Sequence, residues 1–159
     1  FITLKDENGI SIKVHQKADV SEVEDNIKTG FVLAKAFPNL DIRIREHVRQ
    51  DGVKNAEFLI DGVLADAKRV ESYKGIADGF RRAKEQEANI VIIDYDKNLR
   101  GKSIRHRKTA SALNHRKQDF EEKTIEKVYI IHNDKVVSID ALMILNKDEI
   151  ETLIRKGGL

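Results

Sequence analysis

Glu57, Asp66 and Lys68 stand in the segment Glu57-Phe58-Leu59-Ile60-Asp61-Gly62-Val63-Leu64-Ala65-Asp66-Ala67-Lys68, where two acids and a lysine are spaced so that folding can bring them together. An Asp-Gly pair between short apolar runs predicts a two-residue turn, because both central residues of a type I′ turn need positive φ. With Asp61 and Gly62 as that turn, Ile60 faces Val63, Leu59 faces Leu64, Phe58 faces Ala65, and Glu57 comes opposite Asp66. Lys68 shares their face. Directly opposed side chains have Cβ atoms about 4.5–5.5 Å apart, where two like charges destabilise a sheet unless something compensates them. A divalent cation would. Glu57 and Asp66 as oxygen ligands for Mg²⁺ or Mn²⁺, with Lys68 near an attacked phosphate, form the set that metal-dependent phosphodiester hydrolysis requires.

The same three side chains could instead be solvated on the polar face of an edge hairpin. Leu59 and Leu64 share that face, which argues that it is covered. Asp61 is a further carboxylate close in sequence, but four residues of strand span about 13 Å, and its turn role accounts for it.

The acid, the following Asp-x-Lys and the strand-turn-strand setting resemble the PD-(D/E)xK nucleases, the restriction-endonuclease-like superfamily. Gly52-Val53-Lys54-Asn55-Ala56-Glu57 through Lys68, then Ala83-Lys84-Glu85-Gln86-Glu87-Ala88-Asn89 and an apolar strand, resemble the C-terminal toxin domains of contact-dependent growth inhibition systems. The resemblance covers roughly residues 10 to 131, with Ala56 where the family usually has Pro and Glu57 where it usually has Asp. It implies an α/β fold with an αβββαβ core and a mixed central sheet flanked by helices. It also implies a delivered antibacterial toxin that cuts tRNA or DNA in the recipient cytoplasm, blocked by a cognate immunity protein. Superfamily members often place a glutamate from the first core helix near the metal, which selects Glu24. A residue after the Asp-x-Lys strand often supports the site or substrate, which selects Lys84 and Gln86.

The elements that must position these residues follow from pattern. Ile10 to His15 alternates like a strand after the turn cluster Asp6-Glu7-Asn8-Gly9. Asp19 or Ser21 caps a helix running to about Phe37, where Pro38-Asn39 stops it. Val20, Val23, Ile27, Phe31 and Ala34 form its apolar stripe, with Glu24 at the edge and Glu22 and Asp25 pointing away. At that edge Glu24 could equally pair with Lys28 as an ordinary boundary glutamate.

Leu40 to Val48 reads as a half-buried strand, Ser72 to Glu87 as a helix, and Ile90-Val91-Ile92-Ile93 as a strand covered on both faces. One long helix is predicted over Ser103 to Glu122, and another strand at Val128-Tyr129-Ile130-Ile131. The tail then reads as a short strand around Val136–Ser138 and a helix capped by Asp148 and ended by Gly157-Gly158.

With 159 residues the chain reads as one domain, able to bury a core without staples. The absence of Cys excludes thiolate zinc sites, cysteine nucleophiles and disulfides. No run reaches the roughly 18 apolar residues of a membrane span, and Phe1 in place of an initiator Met reads as the start of a module excised from a larger delivery protein.

Net charge is only +2, but charge is unevenly placed. Between Lys97 and Lys117 there are eight Lys or Arg residues and two His, with no acid until Asp119. Lys102, Arg105, Arg107, Lys108, Arg116 and Lys117 would neutralise phosphates and give salt-dependent, largely sequence-independent affinity for nucleic acid. A solvated helix face or a surface for an acidic protein would share that composition. Two other functions fit the residues. One is a metal-independent ribonuclease using two of His15, His47, His106, His115 and His132 as acid and base. The other is a non-catalytic nucleic-acid-binding or assembly module of the same fold.

Overall fold

In the computed structural model, which describes residues 1–159, eight strands form one mixed sheet whose spatial order is the order of the chain. β1 (Ile2–Lys5) and β2 (Ser11–Val14) make an antiparallel hairpin, and α1 (Val23–Ala36) carries the chain over to β3 (Ile42–Ile44), parallel to β2. β4 (Phe58–Ile60) and β5 (Val63–Arg69) continue antiparallel, and α2 (Ile76–Glu85) crosses to the parallel β6 (Ile90–Asp94). Three short helices, α3 (Asp96–Leu99), α4 (His106–Asn114) and α5 (Lys117–Glu121), lead to the parallel β7 (Lys127–His132). β8 (Lys135–Asp140) pairs back antiparallel before α6 (Lys147–Lys156). The run from α1 through β7 contains the expected αβββαβ order, within a mixed sheet flanked by helices. No helix is long and apolar enough to cross a membrane.

The central turn forms for the reason the sequence suggests. Asp61 and Gly62 take φ of 49° and 80°, and the ladder pairs Phe58 with Ala65, Leu59 with Leu64 and Ile60 with Val63. The Asp61 carboxylate accepts from the Asp41 backbone N–H at 2.7 Å, so it is spent on joining the turn to the entry of β3. All five residues of β6 are buried. Ile90 and Ile92 pack with Leu33 and Ala34 of α1, while Val91 and Ile93 pack with Phe80, Leu113 and Ile150 from the helices of the other layer.

Several elements depart from the sequence pattern. The helix predicted over Ser103 to Glu122 is broken into α4 and α5 at His115 and Arg116. α4 buries Thr109, Ala110 and Leu113. A continuous helix would bring positions 116 and 117 onto that face next, and these are Arg and Lys. α1 starts at Val23, after a turn in which the Asp19 carboxylate accepts from the Ser21 N–H at 2.9 Å, leaving Val20 82% exposed. The strand expected over Leu40 to Val48 contracts to Ile42–Ile44, and the cap of α6 is Asn146, whose side chain accepts from the Glu149 N–H, rather than Asp148.

α2 sits close on β5 because Gly79 has no side chain. A Cβ there would lie 2.8 Å from Ile93 Cδ1 and 3.1 Å from Lys68 Cβ. Gly79→Ala therefore forces the helix away from Lys68. Overpacking of this kind costs roughly 1–3 kcal/mol, and a lower urea midpoint at unchanged slope is the expected result.

Candidate functional site

β4 pairs with β5 only as far as Phe58 and Ala65, while β5 runs on to Arg69 alongside β6. A fork opens there, and the Glu57 side chain fills it. Its Oε2 accepts from the Ala67 N–H at 3.3 Å, a backbone donor that no strand satisfies on that side, and lies 3.5 Å from Arg69 Nη1. The side chain of Glu57 is 8% exposed, and Asp66 is 3% exposed. Glu57 does not continue the ladder opposite Asp66, as the turn register implied, but both carboxyls are withdrawn from water near enough for the charge of Asp66 to act on Glu57, rather than solvated on an open face.

Strand alternation divides the neighbourhood. Asp66 and Lys68 point to the α2 side, and Arg69 points to α1. Arg69 Nη2 donates to Asn26 Oδ1 at 2.8 Å and to Thr29 Oγ1 at 2.9 Å. Thr29 Oγ1 donates in turn to Asp94 Oδ2 at 2.9 Å, and Arg69 Nε lies 3.9 Å from the same oxygen. Asn26, Thr29 and Asp94 are all buried. A cavity of about 290 Å³ opens beside this network at the carboxyl ends of β5 and β6, with Arg69, Asp94 and Lys97 on its wall. Crevices at the carboxyl ends of parallel strands are where open α/β sheets bind ligands.

Burial dominates the electrostatics. It raises Asp66 to about 6, against the pull of Arg82 on α2, while Glu22 pushes in the same direction as burial. Burial also raises Glu57, and the charge of Asp66 raises it further against Arg69. Asp94 is raised by burial, opposed by hydrogen bonds from the Asp96 N–H and the Thr29 hydroxyl. Two neighbouring carboxyls that resist ionisation together form a site short of positive charge.

The other expected residues are placed as follows. Lys68 is beside the pair along the strand, but its Nζ lies 3.0 Å from Asp78 Oδ2 on α2. Hydrogen bonds from Arg81 and Lys68 hold Asp78 down at about 2. Glu24 does not join the pair. Its side chain is 85% exposed, 3.5 Å from Lys28, because α1 turns Asn26, Thr29, Gly30 and Leu33 inward rather than the stripe read from its apolar residues. Glu22, set aside on that stripe, stands at the N-cap of α1, and its charge reaches both Glu57 and Asp66.

Gln86 is neither solvated nor set against a ligand: its Oε1 accepts from the Asn55 N–H at 2.6 Å. The Asn55 side chain accepts from the Val48 N–H and donates to the Val48 carbonyl. Arg45 Nη1 donates to the Ala56 carbonyl at 2.8 Å, and the Arg45 N–H to the Glu57 carbonyl at 2.9 Å. These bonds pin the segment that delivers Glu57.

Of the basic residues, Lys84 is held by Asp119 at 2.8 Å and Arg107 by Glu151 at 3.0 Å and Asp148 at 3.3 Å. Arg116 is half-buried, its Nε without a partner. Lys102, Arg105, Lys108 and Lys117 are exposed.

Glu57 and Asp66 are the residues that could hold a metal. No group of three or more His, Cys, Asp or Glu side chains converges anywhere in the structure. Mg²⁺ commonly takes one or two carboxylates and completes its shell with water and substrate phosphate, and a buried acid pair short of positive charge fits that donor set. Sequence reasoning missed the places of Arg69 and Arg82 beside the buried acids, and with them Asn26, Thr29 and Asp94. One signal was available: 22, 26 and 29 fall on one helical face, and all three are polar.

Asp66 binds its proton more tightly folded than unfolded, so its contribution to stability falls as pH rises from about 4 to about 6 and stays low above that. A shift of about two pKa units corresponds to roughly 3 kcal/mol. Without divalent cations, Asp66→Asn should unfold at a higher temperature than the parent at pH 8. The gap should close as pH falls toward 4. A variant less stable at pH 8 would contradict this electrostatic account.

No protein-family model and no curated protein sequence matches the chain. Among solved structures, the chain is similar to one chain of the CdiA-CT/CdiI toxin and immunity complex from Burkholderia pseudomallei, with a TM-score of 0.51 and 16% identity. That alignment covers 80% of this chain and 93% of the other, and at this identity the likeness is one of fold.

Proposed function

We propose that this chain is a metal-dependent nuclease toxin domain that hydrolyses phosphodiester bonds of nucleic acid, tRNA by preference or DNA. The observation that carries the reading is the burial of Glu57 and Asp66 together at the β4/β5 fork, where both carboxyls are raised by desolvation. Mg²⁺ or Mn²⁺ held by these two residues would offset their charge, polarise the phosphate and lower the pKa of bound water. Arg69 keeps the Glu57 carboxylate in the fork, and the Ala67 N–H fixes its orientation. Lys68, released from Asp78, would orient water and stabilise charge growing on the phosphate oxygens. Arg82 keeps positive charge on the α2 side of Asp66.

The toxin part of the reading rests on the fold likeness to a toxin and immunity complex. With the sequence resemblance to contact-dependent growth inhibition toxins, it supports a domain that would be the C-terminal module of a longer delivery protein, act in the cytoplasm of a target bacterium, and be blocked by a cognate immunity protein. The ribonuclease alternative has less support. His15 Nδ1 accepts from the Lys17 N–H, and His47 stands 3.7 Å from Asp19. His106 and His132 are turned to the carbonyls of Leu159 and Leu99.

Purified domain should cut total tRNA or plasmid DNA with Mg²⁺, lose cutting in EDTA, and lose at least about a hundredfold in rate on Asp66→Asn or Glu57→Gln, the scale expected when a main electrostatic group is removed. Mg²⁺ should also raise the thermal midpoint of the parent and leave that of Asp66→Asn unchanged. Cutting that persists in EDTA would favour histidine chemistry. Binding without cutting in every form would favour the non-catalytic module.

A further inference from the structure

The basic run on α4 does not stand alone in the fold. α6, which lies outside the αβββαβ core, packs against α4, and between them is a concavity of about 480 Å³ walled by Arg105, His106, Arg107, Lys108, Lys147 and Arg155. Lys147 and Arg155 lie 30 and 38 residues beyond the end of the run read in the sequence. Only folding adds them to it.

The acids nearby are already engaged. Asp148 lies 3.3 Å from Arg107, and Glu151 lies 3.0 Å from both Arg107 and Arg155. The two Arg107 pairs brace α6 against α4, and the Glu151–Arg155 pair within α6 completes the frame of the concavity. Arg105, Lys108 and Lys147 take part in no ion pair; Arg105 and Lys108 are exposed and Lys147 is half-buried, so their charges are uncompensated at the concavity. No Asp or Glu side chain and no Phe, Tyr or Trp lines the walls.

We propose that this α4–α6 concavity anchors the phosphodiester backbone of the nucleic-acid substrate, an inference that rests on the nuclease reading above. Its chemistry is that of phosphate contacts rather than base recognition. Cations without stacking platforms track a backbone and do not read bases. A protein partner of comparable affinity would need an apolar centre to the patch, and Ile104 is the one apolar residue in the lining. Arg105, Lys108 and Lys147 are the contacting residues, and Arg107 and Arg155 position them.

The test measures binding separately from cutting. In an Asp66→Asn background, affinity for fluorescein-labelled tRNA and for a DNA duplex of similar length is followed across a salt series. Lys108→Glu/Lys147→Glu is compared with a control of equal charge change, Lys5→Glu/Lys123→Glu, with thermal midpoints checked for both. Losing two phosphate contacts should lower the salt slope by about 2 and weaken binding roughly thirtyfold near 0.15 M salt, while the control changes little. Lys108→Gln/Lys147→Gln should fall between parent and reversal, which guards against misfolding of the reversed pair.

Equal losses in the reversal and the control would overturn the proposal, since net charge alone would then explain them. So would an unchanged slope, or competition by polyglutamate as effective as that by nucleic acid, which would assign the concavity to an acidic protein. Failure here with Asp66-dependent cutting intact sinks the anchor and leaves the nuclease. Localised binding loss with no cutting by the parent does the reverse.

Discussion

Arg69 is the residue on which the arrangement at the fork depends. It stands between Glu57 and Asp94, two acids taken out of water, and is held there by Asn26 and Thr29 from α1. Desolvating a carboxylate costs several kcal/mol, which a neighbouring guanidinium offsets only when its position is fixed. Removing such a partner typically costs 3–5 kcal/mol, because the acids remain buried and unpaired. The first helix is therefore seated on the sheet partly by a polar network, and the seating of α1 and the geometry of the fork are one problem. That coupling explains why α1 buries an asparagine and a threonine where a purely structural helix would bury apolar side chains.

The same coupling decides what could be read from the sequence. The hairpin was legible in register as far as Phe58 and Ala65, because turn chemistry at Asp61-Gly62 is local, but not in the next pair, where the strands part before Glu57 can face Asp66. The face of α1 was not. Apolar periodicity aligned Val20, Val23 and Ile27 and so presented Glu24, whereas the helix buries Asn26 and Thr29 and brings Glu22 round instead. Hydrophobic pattern marks the buried face only where burial is apolar. Gln86 shows a second limit: its partner is the backbone N–H of Asn55, thirty-one residues earlier, and no side-chain spacing encodes that bond.

Charge counted along the chain also misleads about charge displayed in space. Arg107 and Lys84 contribute to the basic composition, yet each is matched by an acid from a distant element. Those pairs join α4 to α6 and α2 to α5. Lys68 is matched as well, through Asp78, which ties the strand carrying the acid pair to the helix above it. What the surface presents to a polyanion is the remainder, and it is assembled from two segments that composition treats as unrelated.

A sheet whose strands lie in chain order has a mechanical consequence. Each strand is bonded to the strands before and after it in sequence, so no segment passes through a loop or between two others. Tension applied at the N-terminus meets Ile2 opposite Val14 first, and within this hairpin each following ladder bond is loaded only after the previous one has broken. The β1–β2 hairpin can therefore unzip bond by bond from that edge. β2 and β3, in contrast, are parallel and would be sheared past one another by the same pull, so resistance rises once the first hairpin is lost, and with no cysteine in the chain no crosslink adds to it.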